Sequence, residues 1–134
     1  MRGATIPELK EVLSDLVEID RTQINSWEDT DFRQAVEATG RRKLVMAALW
    51  TEVCLTFPAL DALREGYEVF PVVDAVGGTS LEAHRAGLER IIQAGAQPIG
   101  WVSLACELQR DWARTDTVPE VVDIVLTSRL SKGL

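Results

Sequence analysis

The chain has 134 residues, 46% of them hydrophobic and 26% charged, and a formal net charge of −7. That is one domain's worth of an ordinary globular composition, which excludes a disordered chain and leaves no room for two domains. The acidic balance also argues against a nucleic-acid partner, because neutralising phosphates needs clustered Lys and Arg. The basic run Arg41-Arg42-Lys43 leads straight into an apolar segment and reads as solvated charge at a strand entry. No apolar stretch has the length of a membrane span, and Met1 to Ile6 has neither the apolar core nor the cleavage site of a signal peptide. Cys54 and Cys106 are too few for a disulfide framework, so both are expected as reduced thiols in the cytoplasm.

Along the chain, Pro7 to Leu13 suggests a short helix and Leu16 to Asp20 a short strand. A grammar of helix, glycine and strand then repeats. Phe32, Ala35, Val36 and Thr39 recur at helical spacing, Gly40 follows, and Leu44 to Leu49 is continuously apolar. Val53, Phe57, Leu60 and Leu63 line a helix that stops at Gly66, before Val69-Phe70-Pro71-Val72-Val73. Leu81, His84, Leu88, Ile91 and Ile92 mark a helix ending at Gly95, before Pro98-Ile99-Gly100-Trp101-Val102. Glycine just past a helix turns left-handed without a Cβ clash. Continuously apolar strands alternating with amphipathic helices predict an α/β fold, doubly wound, with a parallel sheet covered on both faces. Thr79 with Glu82 reads as a capping box for the third helix, and Pro71 in mid-strand predicts a bulge or an edge. The tail from Pro119 to Leu130 reads as a helix for docking on a neighbour.

In an open α/β sheet, chemistry collects beyond the carboxyl ends of the strands. Two segments sit there: Leu49 to Cys54, and Asp74 to Ser80. Cys54 would fall in the first turn of the next helix, where backbone N–H groups and the helix dipole favour thiolate. The N–H groups of that turn, at Trp50, Thr51 and Cys54, are candidates to hold an oxyanion formed when the thiolate attacks a carbonyl. The competing reading is a small residue packing helix against sheet, since free cysteine is commonly buried. Cys106 has no comparable setting and reads as core. His84 lies on an apolar stripe; as the only histidine it excludes an ordinary multi-histidine metal site and reads as a satisfied structural residue. Asp74 either orients a nucleophile or caps loop N–H groups such as those of Gly77 and Gly78. Gly77-Gly78 lacks the spacing of a dinucleotide or P-loop fingerprint, and no cofactor is expected.

An ordered string of motifs carries a resemblance. Thr51-Glu52-Val53-Cys54, Phe57-Pro58-Ala59-Leu60, Gly66-Tyr67-Glu68-Val69, Val73-Asp74-Ala75, His84, Gln93-Ala94-Gly95-Ala96 and Glu107 to Trp112 follow one another. Together they resemble the isochorismatase-like cysteine hydrolases, in particular the YcaC-like branch. The resemblance implies a Rossmann-like sheet and a triad of aspartate, basic residue and cysteine. Cys54 would be the nucleophile forming a thioester. The basic residue would be Arg21, just before Asn25-Ser26-Trp27, holding the aspartate in place. Members without the cysteine cleave a vinyl ether, so an amide-like C–N bond of a small molecule is the expected substrate here. A non-proline cis peptide is implied near Leu49-Trp50, and homo-oligomers are the expected assembly.

The family fold opens with a strand ending in the catalytic aspartate, then a helix and a second strand. Nothing before Thr5 matches these units, which at about 30 residues each come to roughly 60. The single domain, residues 1–134, is therefore expected to be partial, lacking the first two strands, with the strand from Leu44 showing a bare apolar edge. Asp15, Asp20 and Asp29 do not end a strand beside Cys54, so the base is unassigned. Three hypotheses follow: a cysteine hydrolase, a non-catalytic assembly module of the same fold, and a thiol switch at Cys54 that needs Cys106 nearby as resolving thiol.

Overall fold

The structure is a computed structural model that describes residues 5–131, with side chains through residue 127. Its elements run α1 (Pro7–Val12), α2 (Thr30–Ala38), β1 (Lys43–Trp50), α3 (Thr56–Arg64), β2 (Glu68–Gly77), α4 (Leu81–Gln93), α5 (Trp101–Gln109) and α6 (Val118–Ser131). A single 3-10 turn at Ser26–Glu28 precedes α2, and a π-helical turn at Thr51–Leu55 joins β1 to α3. The architecture is the expected α/β one, with parallel strands and helical connections. Gly40, Gly66 and Gly95 follow α2, α3 and α4 with φ of 64°, 80° and 109°, the left-handed backbone those helix ends require.

β1 and β2 pair in parallel, from Lys43 with Glu68 to Met46 with Pro71, and then from Ala48 with Val76 to Trp50 with Gly77. The register slips between Met46 and Ala48, so Val72 to Ala75 face only Ala47. The bulge predicted from Pro71 is there. Pro71 has no N–H to give β1, but its carbonyl accepts from Ile99 N on the other side, at 3.0 Å.

Eight residues form the buried centre: Trp27, Leu55, Ala59, Ala62, Tyr67, Val69, Ile91 and Ala96. Leu44, Met46 and Ala48 of β1 pack on it. The alternate residues of β1 do not find a cover: Val45 is 53% and Leu49 74% exposed. Among the described residues β1 pairs with β2 alone, so it has both a bare edge and a bare apolar face. No helix among the described residues is long and apolar enough to cross a membrane.

Several expectations need correction. Leu16 to Asp20 forms no strand; Leu16 and Val17 are 66% and 89% exposed, and among the described residues no neighbouring strand offers their backbone a ladder. Pro98 to Val102 is not a full strand either. Gln97 N donates to Val69 O and Val73 N to Ile99 O, leaving one parallel bridge, Val72 with Ile99. The chain then turns into α5 because Asp74 Oδ1 accepts from Trp101 N at 2.8 Å. Asp74 is thus a cap, but of α5 rather than of the Gly77-Gly78 loop. The cap of α4 is Ser80, whose hydroxyl accepts from Ala83 N at 3.1 Å; Thr79 is engaged elsewhere. Cys106 is exposed, not core: α5 turns Leu104 and Ala105 inward and leaves Cys106 outside. No cis peptide bond occurs, at Leu49-Trp50 or at any other described position. The tail helix is present as α6, and buried Gln109 joins it to α5 by accepting the Thr117 hydroxyl at 2.7 Å.

Candidate active site

β1 delivers the chain to Thr51, and the next five residues form a π-helical turn before α3 begins. π turns are rare and concentrate at functional sites. Cys54 lies in this turn, half-buried, while Thr51 and Leu55 on either side have no exposure at all. Trp50 precedes the turn in extended geometry and its side chain does not cap it. The first N–H groups of a helical turn have no partner within it, so they are available to an incoming anion. Trp50 itself is 38% exposed, keeping the corner open.

Thr51 is the anchor of the turn. Its hydroxyl lies 2.7 Å from the Gly77 carbonyl at the end of β2 and 2.7 Å from His84 Nδ1 on α4. Its carbonyl accepts the buried Thr56 hydroxyl at 2.6 Å. Glu52 makes a second tie: Oε1 accepts from both the hydroxyl and the N–H of Thr79. The Thr79 hydroxyl, then its N–H, hold the Glu52 carboxyl below the usual carboxylate range, and His84 nearby works in the same direction. Glu52 Oε2 is out of solvent, with no hydrogen-bond partner among the described residues. The turn is also pressed from α4. A Cβ on Gly87 would stand 2.9 Å from Glu52 Cα and 3.1 Å from Thr51 Cγ2, so only glycine lets the helix come this close.

His84 is therefore satisfied by a hydroxyl, as read from the sequence, and lines an open cleft of about 380 Å³ with Val76, Gly77, Gly78, Ser80 and Leu81. Arg21 is placed by its own loop: its guanidinium donates to the carbonyls of Gln23 and Ile24. Among the described residues no hydrogen bond or salt bridge joins it to Cys54. The Asn25-Ser26-Trp27 stretch is an anchor. Asn25 donates to Asp61 Oδ2 at 2.7 Å, and Trp27 packs edge-on to Tyr67 with ring centres 5.3 Å apart. Asp29 caps α2 by accepting from Phe32 N. A larger cleft, about 540 Å³, lies between α2 and α3, but its Arg33 and Arg64 are already paired with Glu37, Glu65 and Asp61. Among the described residues no cluster of three His, Cys, Asp or Glu is placed to hold a metal ion.

The parts that sequence reading missed are Glu52 with Thr79, Thr56, and Gly87. The spacing from Thr51 to Thr56 is a possible signal for the hydroxyl-to-carbonyl tie; nothing local signals the other two.

A parallel α/β sheet with a thiol-bearing turn at the end of β1 agrees with the family comparison: the isochorismatase domain matches residues 2–103, and the chain belongs to the isochorismatase family. It is similar to the probable hydrolase YcaC of Escherichia coli strain K12, 46% identical over 111 residues that cover 82% of this chain and 53% of that one. The fold is similar to YcaC from Pseudomonas aeruginosa, solved with hexane-2,5-diol and covalent acrylamide, with a TM-score of 0.82 and 37% identity over 93% of this chain and 67% of that one. It is equally similar to the solved Escherichia coli YcaC, described as an octameric hydrolase of unknown specificity, with a TM-score of 0.82 and 37% identity over 96% and 68% of the two chains. The chain spans about half the length of the curated relatives it matches.

Proposed function

We propose that this chain carries the nucleophile of a cysteine hydrolase that cleaves an amide-like C–N bond of a small molecule. The observation behind the reading is the position of Cys54, half-buried in a tight turn directly off the carboxyl end of β1, in a chain of the isochorismatase family. The Cys54 thiolate attacks the carbonyl carbon, and the C=O pair moves onto oxygen, held by N–H groups of the turn at Trp50, Thr51 and Cys54. Collapse breaks the C–N bond; the amine leaves with the proton that the base took from the Cys54 thiol, and an acyl thioester remains on Cys54. Water then adds to the thioester, gives up a proton, and expels the thiolate to release the carboxylic acid.

The base in this reading is the aspartate of the family's opening strand, added to the open edge of β1. Arg21 is the basic residue that holds it. The covalent acrylamide of the Pseudomonas aeruginosa relative supports the reading, because acrylamide alkylates thiolates. The octamer of the Escherichia coli relative supports a homo-oligomeric assembly for this chain. The bare edge and apolar face of β1 favour a second reading, a non-catalytic assembly module.

Turnover of small amides separates the two. The 134-residue chain alone is expected to be no faster than its Cys54→Ala variant. Supplying the front segment of the Escherichia coli relative, fused or in trans, is expected to give hydrolysis that Cys54→Ala abolishes. Assembly with the front segment but no Cys54-dependent hydrolysis of any amide or ester would favour the module.

A further inference from the structure

We propose that His84 is the positioning residue of the Cys54 turn, an Nδ1–H donor that locks Thr51 against the end of β2. The inference deepens the cysteine-hydrolase reading and rests on it.

The count of protons at Thr51 fixes the tautomer. The Thr51 hydroxyl stands 2.7 Å from the Gly77 carbonyl and 2.7 Å from His84 Nδ1. A carbonyl only accepts, and a hydroxyl has one proton, so that proton belongs to the Gly77 contact. Nδ1 must then bring its own proton to the Thr51 oxygen. Were Nδ1 bare, two acceptors would compete for one proton, and a lone pair would face a lone pair at hydrogen-bond distance. The neutral ring is thus protonated at Nδ1 and bare at Nε2.

The lock reaches Cys54 because the turn hangs on Thr51. Its hydroxyl is held by β2 and α4, its carbonyl by Thr56, and Cys54 lies between Thr51 and Thr56. Gly87, one helical turn beyond His84, presses the same face of α4 onto Thr51 and Glu52. Release of Thr51 shifts the N–H groups that stabilise a thiolate at Cys54.

The experiment has two arms. The chain has one histidine, so the imidazole ¹⁵N signals of the unsubstituted protein need no assignment. The expected spectrum of the neutral ring shows Nδ1 protonated and Nε2 bare; the reverse tautomer overturns the proposal. The second arm compares iodoacetamide labelling of Cys54 in the parent, H84N and H84L. The amide N–H of H84N replaces Nδ1–H, and its rate is expected within about twofold of the parent. H84L is expected to be slower by about threefold or more, because the released turn no longer aims its N–H groups at the Cys54 sulfur. Equal rates in H84L and the parent overturn the proposal. If H84L fails to fold, shown by loss of its thermal transition, the tautomer decides alone. Failure of Cys54 to react ahead of Cys106 in the parent counts against the nucleophile reading, not against the donor assignment, so the two failures are distinct.

Discussion

Glu52 and Thr79 are joined twice: Oε1 of the carboxylate accepts the Thr79 hydroxyl at 2.6 Å and the Thr79 N–H at 2.9 Å. The pair ties the Cys54 turn to the loop after β2. Both bonds favour the charged carboxylate and hold its pKa below the ordinary 4.5. A depressed folded pKa contributes stability that is present above 4.5 and is lost as pH falls from there through the folded value. Thermal melts of the parent and Glu52→Gln from pH 7 downward are therefore expected to differ most near neutrality and to converge in acid. A constant gap across the range would show that Glu52 contributes only by packing.

Gly87→Ala is expected to destabilise the fold. The added methyl meets backbone at 2.9 and 3.0 Å, at Glu52 Cα and N, and neither can step aside as a flexible side chain would. Overpacking of this kind costs about 1–3 kcal/mol. Denaturant melts give the magnitude. The turn is pushed as well, so Cys54 labelling should change in Gly87→Ala even well below its melting point. An unchanged melt and an unchanged labelling rate would mean that α4 is free to shift outward.

Association follows from β1. Among the described residues its outer edge has no partner, and Val45 and Leu49 stand largely in water. An unpaired apolar edge of this kind recruits another chain. Light scattering is expected to find no stable monomer, and Leu49→Lys should weaken the association. A sharp monomer with cooperative unfolding would contradict this.

The helices were legible because their signals are local. α2, α3 and α4 each combine an apolar stripe at helical spacing with a glycine, and the three glycines have the positive φ this requires. Strands depend on neighbours, and here the reading failed: Leu16 to Asp20 has strand-like residues but no ladder, and Ile99 keeps a single bridge. The corner holding Cys54 was legible from the order of strand and helix. Its π geometry was not, because it is set by groups distant in sequence: Thr51 with Gly77 and His84, and Glu52 with Thr79. Thr79 was misread as a cap for the same reason, its hydroxyl being spent on Glu52. Cys106 was misread because its apolar neighbours Leu104 and Ala105 carry the buried side of α5.

That correction sharpens the most direct test of Cys54 as nucleophile. Cys54 is half-buried and Cys106 exposed, so exposure alone would have Cys106 react first. A thiolate favoured by the first N–H groups of a helical turn reverses the order. Limited alkylation of the folded chain near neutral pH, read site by site by mass spectrometry, is therefore expected to label Cys54 well before Cys106. Unfolding in denaturant should abolish the difference. If Cys106 reacts first in a sample shown to be folded, Cys54 is a packing residue and the cysteine-hydrolase account fails.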